Sequence, residues 1–105
     1  MGYEVYCAQD GKEALSLYES ARLRGQRFAA VIVDYNLPDG MNGYEIFKRL
    51  RAIDPQVIAI LSSGYTQNPI MANYTHYGFH GILPKPYTPQ QLFEVLHNVL
   101  RAREP

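Results

Sequence analysis

The sequence predicts an α/β fold, a parallel sheet with helices on both faces, as a single domain over residues 1–105. Three observations carry this expectation. Short β-branched runs lack polar alternation, as strands buried on both faces do. Segments with apolar residues at helical spacing lie between them. Gly, Pro and Asp mark the junctions. Strands that alternate with helices imply parallel pairing, because each return crosses over through a helix.

The elements follow in order. Tyr3, Val5 and Cys7 alternate with Glu4 and Tyr6, as in a half-buried strand. Asp10-Gly11 marks a turn, with Asp10 as a helix cap. From Lys12 to about Arg24, Ala14, Leu15, Leu17, Tyr18 and Ala21 recur at helical spacing, and Gly25 is the natural stop. Phe28–Val33 reads as a buried strand with Asp34 at its carboxyl end. Asn36–Gly43 is loop, and Tyr44 to about Ala52 is a helix facing inward through Ile46, Phe47 and Leu50. Val57–Leu61 is a second buried strand, ended by Ser62-Ser63-Gly64. A helix over Pro69–Tyr77 stops at Gly78, and Gly81–Leu83 is a short strand before Pro84-Lys85-Pro86. Thr88 and Pro89 open the last helix as cap and first residue. Its wide apolar stripe is Leu92, Phe93, Val95, Leu96, Val99 and Leu100.

Composition narrows the function. Ten basic and ten acidic residues cancel, so no charge excess favours nucleic acid or an anionic membrane as partner. No apolar run approaches the ~20 residues that span a bilayer, and no signal-peptide pattern follows Met1. The single Cys7 forms no internal disulfide and fits a reducing, cytoplasmic setting as a small hydrophobe. His76, His80 and His97 match no metal-ligand spacing and read as solvated or helix-end residues. Tyr74 and Tyr77 read as cover for the core.

In open parallel sheets, function gathers beyond the carboxyl ends of the strands. Asp34, Ser63 and Lys85 all fall there. A carboxylate, a hydroxyl and an ammonium at one edge meet around a small anion. The ammonium neutralises charge, the hydroxyl donates to an oxygen, and the carboxylate attacks phosphorus.

Val31-Ile-Val-Asp34-Tyr-Asn-Leu-Pro38, with Gly43 opening the next helix, resembles the phosphorylation loop of response-regulator receiver domains. Ile60-Leu-Ser-Ser63-Gly64 is similar to their fourth strand, and Leu83-Pro-Lys85-Pro86 to their Lys-Pro signature. Ser-Ser-Gly-Tyr, Tyr-Gly-Phe and Pro-Lys-Pro-Tyr most resemble receivers attached to hybrid histidine kinases. The resemblance covers essentially the whole chain. It implies a flavodoxin-like topology and a phosphorelay module, not an enzyme, that takes a phosphoryl group from a histidine kinase or phosphotransfer domain. It makes Asp34 the phosphoacceptor, Ser63 a phosphoryl hydrogen-bond donor and Lys85 the phosphoryl-oxygen ligand. Gly64 leaves room for the group, and the Asn36 carbonyl joins Asp34 as a Mg²⁺ ligand.

Two departures from the family accompany this. The family's first strand, with its paired acids, and the helix after it have no counterpart ahead of Gly2-Tyr-Glu-Val5, so Mg²⁺ binding is expected to be weak or absent. The position three before the lysine, usually an aromatic switch, is Ile82. An aspartate-nucleophile phosphatase would need a second acid where Asn36 stands, and a flavin site would need a Ser/Thr/Gly-rich loop after the first strand. A pseudo-receiver interaction module is the remaining alternative. In the receiver topology the missing strand lies between those at Glu4–Cys7 and Ala30–Val33. Its loss exposes two backbone edges, to be repaired by sliding of the first strand or, as the favoured expectation, by a homodimer through strand exchange.

Overall fold

A computed structural model describes residues 5–8, 11–25, 28–35, 42–64 and 69–101. The expectations for Tyr3, Glu4, Asp10 and Asn36–Met41 lie outside the described residues. Among the described residues eight elements alternate: β1 Val5–Ala8, α1 Gly11–Leu23, β2 Ala30–Asp34, α2 Gly43–Ile53, β3 Ala59–Ser63, α3 Pro69–Ala72, β4 Gly81–Pro84 and α4 Pro89–Arg101.

The four strands form one parallel sheet in the order β1-β2-β3-β4. β1 pairs directly with β2, Val5 opposite Ala30 and Ala8 opposite Val33. The expected gap between these strands therefore does not exist, and strand exchange into a homodimer loses its premise. The physical reason is the cost of an unpaired backbone edge beside Val31–Val33, which pairing within the chain removes at once.

Alternation along the strands divides the core in two. Val31, Val33, Ala59 and Leu61 pack with Ala14 and Tyr18 of α1, Ile46, Phe47 and Leu50 of α2 and Met71 of α3. Ala30, Ile32, Ile60 and Leu83 face the other way and pack with Leu96 and Val99 of α4. Helices thus lie on both faces, but unequally, with three on the first and α4 on the second. Tyr74 and Tyr77 do pack against the first core.

Gly25 closes the end of α1 as the sequence implies, with φ of 77° in the left-handed region that side chains disfavour. Gly78, at φ 96°, ends a run of turns and not a helix. Thr88 and Gln91 form a reciprocal capping box: Thr88 Oγ1 accepts from Gln91 N–H at 3.1 Å, and Gln91 Oε1 accepts from Thr88 N–H at 2.8 Å.

Three expectations fail locally. The helix expected over Pro69–Tyr77 is α-helical only to Ala72 and continues as turns. There Asn73 donates from both its backbone N–H and its side-chain amide to the Pro69 carbonyl, each at 3.0 Å, the local competition that makes Asn a poor helix-interior residue. Leu17 and Phe93, expected to face inward, are 43% and 57% exposed, because each sits at the margin of its stripe. His80 is not a solvated histidine: its ring Nδ1 accepts the Ala59 N–H at 3.2 Å, while its backbone N–H donates to the Ala59 carbonyl at 2.8 Å.

Candidate functional site

β2 ends in Asp34, β3 in Ser63, and Lys85 follows β4 directly. Lys85 Nζ donates to Asp34 Oδ2, so the expected cation and carboxylate form an ion pair. The two side chains are 41% and 28% exposed, which leaves the pair within reach of a solvent-borne group.

The backbone around Asp34 is fixed from two sides. Tyr35 N–H donates to the Ser62 carbonyl at 2.9 Å, and Gly43 N–H donates to the Tyr35 carbonyl at 2.8 Å. Asn42 caps α2 by accepting the Glu45 N–H at 2.9 Å. The helix thereby begins against the strand end itself. A Cβ at Gly43 would lie 2.8 Å from the Asp34 carbonyl oxygen and 3.0 Å from Tyr35 Cα, so only glycine permits this approach. The resemblance placed Gly43 at the helix start without revealing that it sets the position of Asp34.

Of the two serines that end β3, Ser62 stands opposite Asp34 in the register. Its hydroxyl donates to the Leu83 carbonyl at 2.9 Å and ties β3 to β4. Ser63, the expected phosphoryl donor, lies one residue further along. It is fully buried, and its carbonyl accepts the Lys85 N–H at 3.0 Å. The backbone therefore brings Ser63 and Lys85 side by side. Gly64 is exposed, and among the described residues a Cβ there would meet only Lys85 Cβ, at 3.9 Å, an ordinary contact. Ile82, in the switch position, is half-buried against the first core.

Asn36, the other expected metal ligand, lies outside the described residues. Among the described residues no three His, Cys, Asp or Glu side chains gather as a metal site would require. Magnesium demands near-octahedral oxygen ligation. The described donors, one Asp34 carboxylate already paired with an ammonium, do not meet that demand alone.

A carboxylate held by an ammonium thus stands at the carboxyl edge of a parallel sheet, its backbone fixed by the close approach of Gly43. A family profile described as the response regulator receiver domain matches residues 1–97, and the chain belongs to that family. It is 37% identical over 95 residues to the transcriptional regulatory protein CrdR of Helicobacter pylori, covering 88% of this chain and 41% of the relative. It is 30% identical over 103 residues to the sensor kinase CckA of Brucella abortus, covering 98% of this chain and 10% of the relative. The chain thus spans less than half of either relative. The structure is similar to the receiver domain of the sensor histidine kinase PA1611 from Pseudomonas aeruginosa, with TM-score 0.76 and 20% identity over 96% of this chain and 99% of that one. That structure holds a magnesium ion in its active-site cleft. Vibrio cholerae chemotaxis protein CheY4 aligns with TM-score 0.72 and 32% identity over 93% of this chain and 78% of that one. No helix among the described residues is long and apolar enough to cross a membrane.

Proposed function

We propose that this chain is a cytoplasmic phosphorelay receiver module in which Asp34 accepts a phosphoryl group from a phosphohistidine of a kinase or phosphotransfer domain. The observation that carries the reading is the Lys85–Asp34 ion pair at the carboxyl edge of the sheet. In the transfer, a carboxylate oxygen of Asp34 attacks phosphorus, the P–N bond to the donor imidazole breaks, and a P–O bond forms. The ammonium of Lys85 moves from the carboxylate to a phosphoryl oxygen and offsets its charge. The Ser63 hydroxyl donates to a second oxygen, and Gly64 leaves the approach open. The domain extends over residues 1–105, and its output is a rearrangement of this edge read by a partner protein, not turnover of a substrate.

Magnesium, when bound, supplies charge neutralisation between phosphoryl group and carboxylate. The described donors support only weak binding by the 105-residue chain. The same donor set favours a second reading, an interaction module of receiver fold that is not phosphorylated in this form. Acetyl phosphate with millimolar Mg²⁺, followed by intact-mass measurement, separates the two. One added phosphoryl group in the chain, and none in Asp34→Asn, supports the acceptor. No addition at any Mg²⁺ concentration supports the module. Labelling retained in Asp34→Asn would falsify the residue assignment.

A further inference from the structure

The sheet has to make up for a missing donor where β4 ends. Pro84 stands opposite Ser63 in the register, and a proline has no N–H to give to the ladder. Two other bonds tie the strand ends together there. Lys85 N–H donates to the Ser63 carbonyl at 3.0 Å, and the Ser62 hydroxyl donates to the Leu83 carbonyl at 2.9 Å. Ser62 is 2% exposed and Leu83 1%, so the second bond is made away from water, where it is strongest. Ser62 also holds the other side of the site. It stands opposite Asp34 on β2 as it stands opposite Leu83 on β4, and its carbonyl accepts the Tyr35 N–H at 2.9 Å. One buried residue is thus bonded to the residue after Asp34 and to the residue two before Lys85.

We propose that Ser62 is the positioning residue of the Asp34–Lys85 pair, its hydroxyl setting where the ammonium stands against the carboxylate. Its bearing on transfer rests on Asp34 being the phosphoacceptor. The link to Lys85 is short and stiff. Pro84, between Leu83 and Lys85, has its φ fixed by the ring, so a shift of the Leu83 carbonyl passes on to Lys85 and is not absorbed by rotation. The link to Asp34 is different in kind. It runs through the Ser62 main chain and survives loss of the side chain. Removing the hydroxyl therefore displaces the ammonium and leaves the carboxylate in place. Transfer needs the ammonium at a phosphoryl oxygen, and a misplaced Lys85 slows it. Ser62 acts through Lys85 and itself touches no phosphoryl group, its hydroxyl proton being given to Leu83.

Two readouts on the full chain test this. NMR of the lysine ammonium groups, with the Lys85 signal assigned through its loss in Lys85→Arg, reports the pair directly. Acetyl phosphate with millimolar Mg²⁺, followed by intact mass over time, reports transfer. In Ser62→Ala the Lys85 signal should move toward that of a solvated lysine. The initial labelling rate should fall about tenfold, the size of one lost buried hydrogen bond. Ser62→Thr keeps the hydroxyl and should hold both readouts near the parent, while Ser62→Val, the same shape without it, should repeat the loss. Tyr18→Phe removes a buried bond outside this edge, controls for lost stability alone, and should move neither readout. If the added methyl unfolds both β-branched variants, Ser62→Ala against Tyr18→Phe decides. A Lys85 signal unchanged in Ser62→Ala overturns the proposal, as does a folded Val variant that matches Thr. A parent that takes no phosphoryl group removes the acceptor reading, and the Lys85 signal still decides the role of Ser62. A parent and a Ser62→Ala that label at one rate overturn the positioning and leave the acceptor standing.

Discussion

Substituting alanine for Gly43 tests how Asp34 is positioned. The added methyl would lie 2.8 Å from the Asp34 carbonyl oxygen, 3.0 Å from Tyr35 Cα and 3.1 Å from Val33 Cγ1. Two of these three neighbours are backbone, so no rotamer change relieves them. Ordinary contact begins at 3.4 Å, and 3.4 − 2.8 leaves 0.6 Å to be found by moving the helix start away from the strand end. That movement strains the 2.8 Å hydrogen bond from Gly43 N–H to the Tyr35 carbonyl, which holds the two together. Overpacking of this kind costs about 1–3 kcal/mol, while alanine recovers at most about 1 kcal/mol of helix propensity. Overpacking wins, and a net loss of about 1–2 kcal/mol is expected. Gly64→Ala is the matched control, since among the described residues its methyl meets nothing nearer than 3.9 Å, and it should change stability by less than about 0.5 kcal/mol. Urea unfolding followed by circular dichroism measures both, and amide shifts at Asp34 and Tyr35 report the displacement. If Gly43→Ala matches the parent in stability and leaves those shifts in place, the close approach does not fix Asp34.

Three further outcomes follow from buried or capping contacts. Tyr18 Oη donates to Asp54 Oδ2 at 2.8 Å, and Asp54 is only 6% exposed, so Tyr18→Phe should cost about 1.5–3 kcal/mol; a urea midpoint shifted by less than about 0.5 kcal/mol-equivalent would remove this bond from the account. Thr88→Ala breaks one half of the capping box and should cost about 1 kcal/mol in thermal unfolding, with Thr88→Ser retaining most of it. His80→Ala deletes the acceptor for the Ala59 N–H, and hydrogen exchange at that amide should accelerate selectively; unchanged protection would mean that the 3.2 Å contact does not hold the strand.

What the sequence made legible, and what it hid, divides by the range of the physics. Asp34 and Lys85 were legible because each ends a run whose local pattern declares a strand, and parallel strands put their carboxyl ends at one edge. The helix faces of α2 were legible for the same reason, since Ile46, Phe47 and Leu50 are buried as their spacing requires. The partnership of Tyr18 with Asp54 was not, because 36 residues separate them and neither carries a local sign of the other. The distinction between the two serines needed the register: a one-residue step moves a side chain to the opposite face, so Ser62, opposite Asp34, bonds the Leu83 carbonyl, while Ser63 lies one step on, beside Lys85. His80 was misread because an imidazole that serves a backbone amide has no sequence signature.

The place of β1 is the deepest case. Its residues read as a strand beside a gap or a strand beside β2 with equal ease, since both arrangements use the same alternation and the same turn at Gly11. What decides between them is a non-local quantity, the number of main-chain groups left unpaired on Ala30–Val33. Pairing in the register Val5–Ala30 to Ala8–Val33 satisfies that edge without a second molecule. The sheet thus closes its own edge within one chain, through a register that only the whole pairing of Val5–Ala8 with Ala30–Val33 decides and that no local pattern declares.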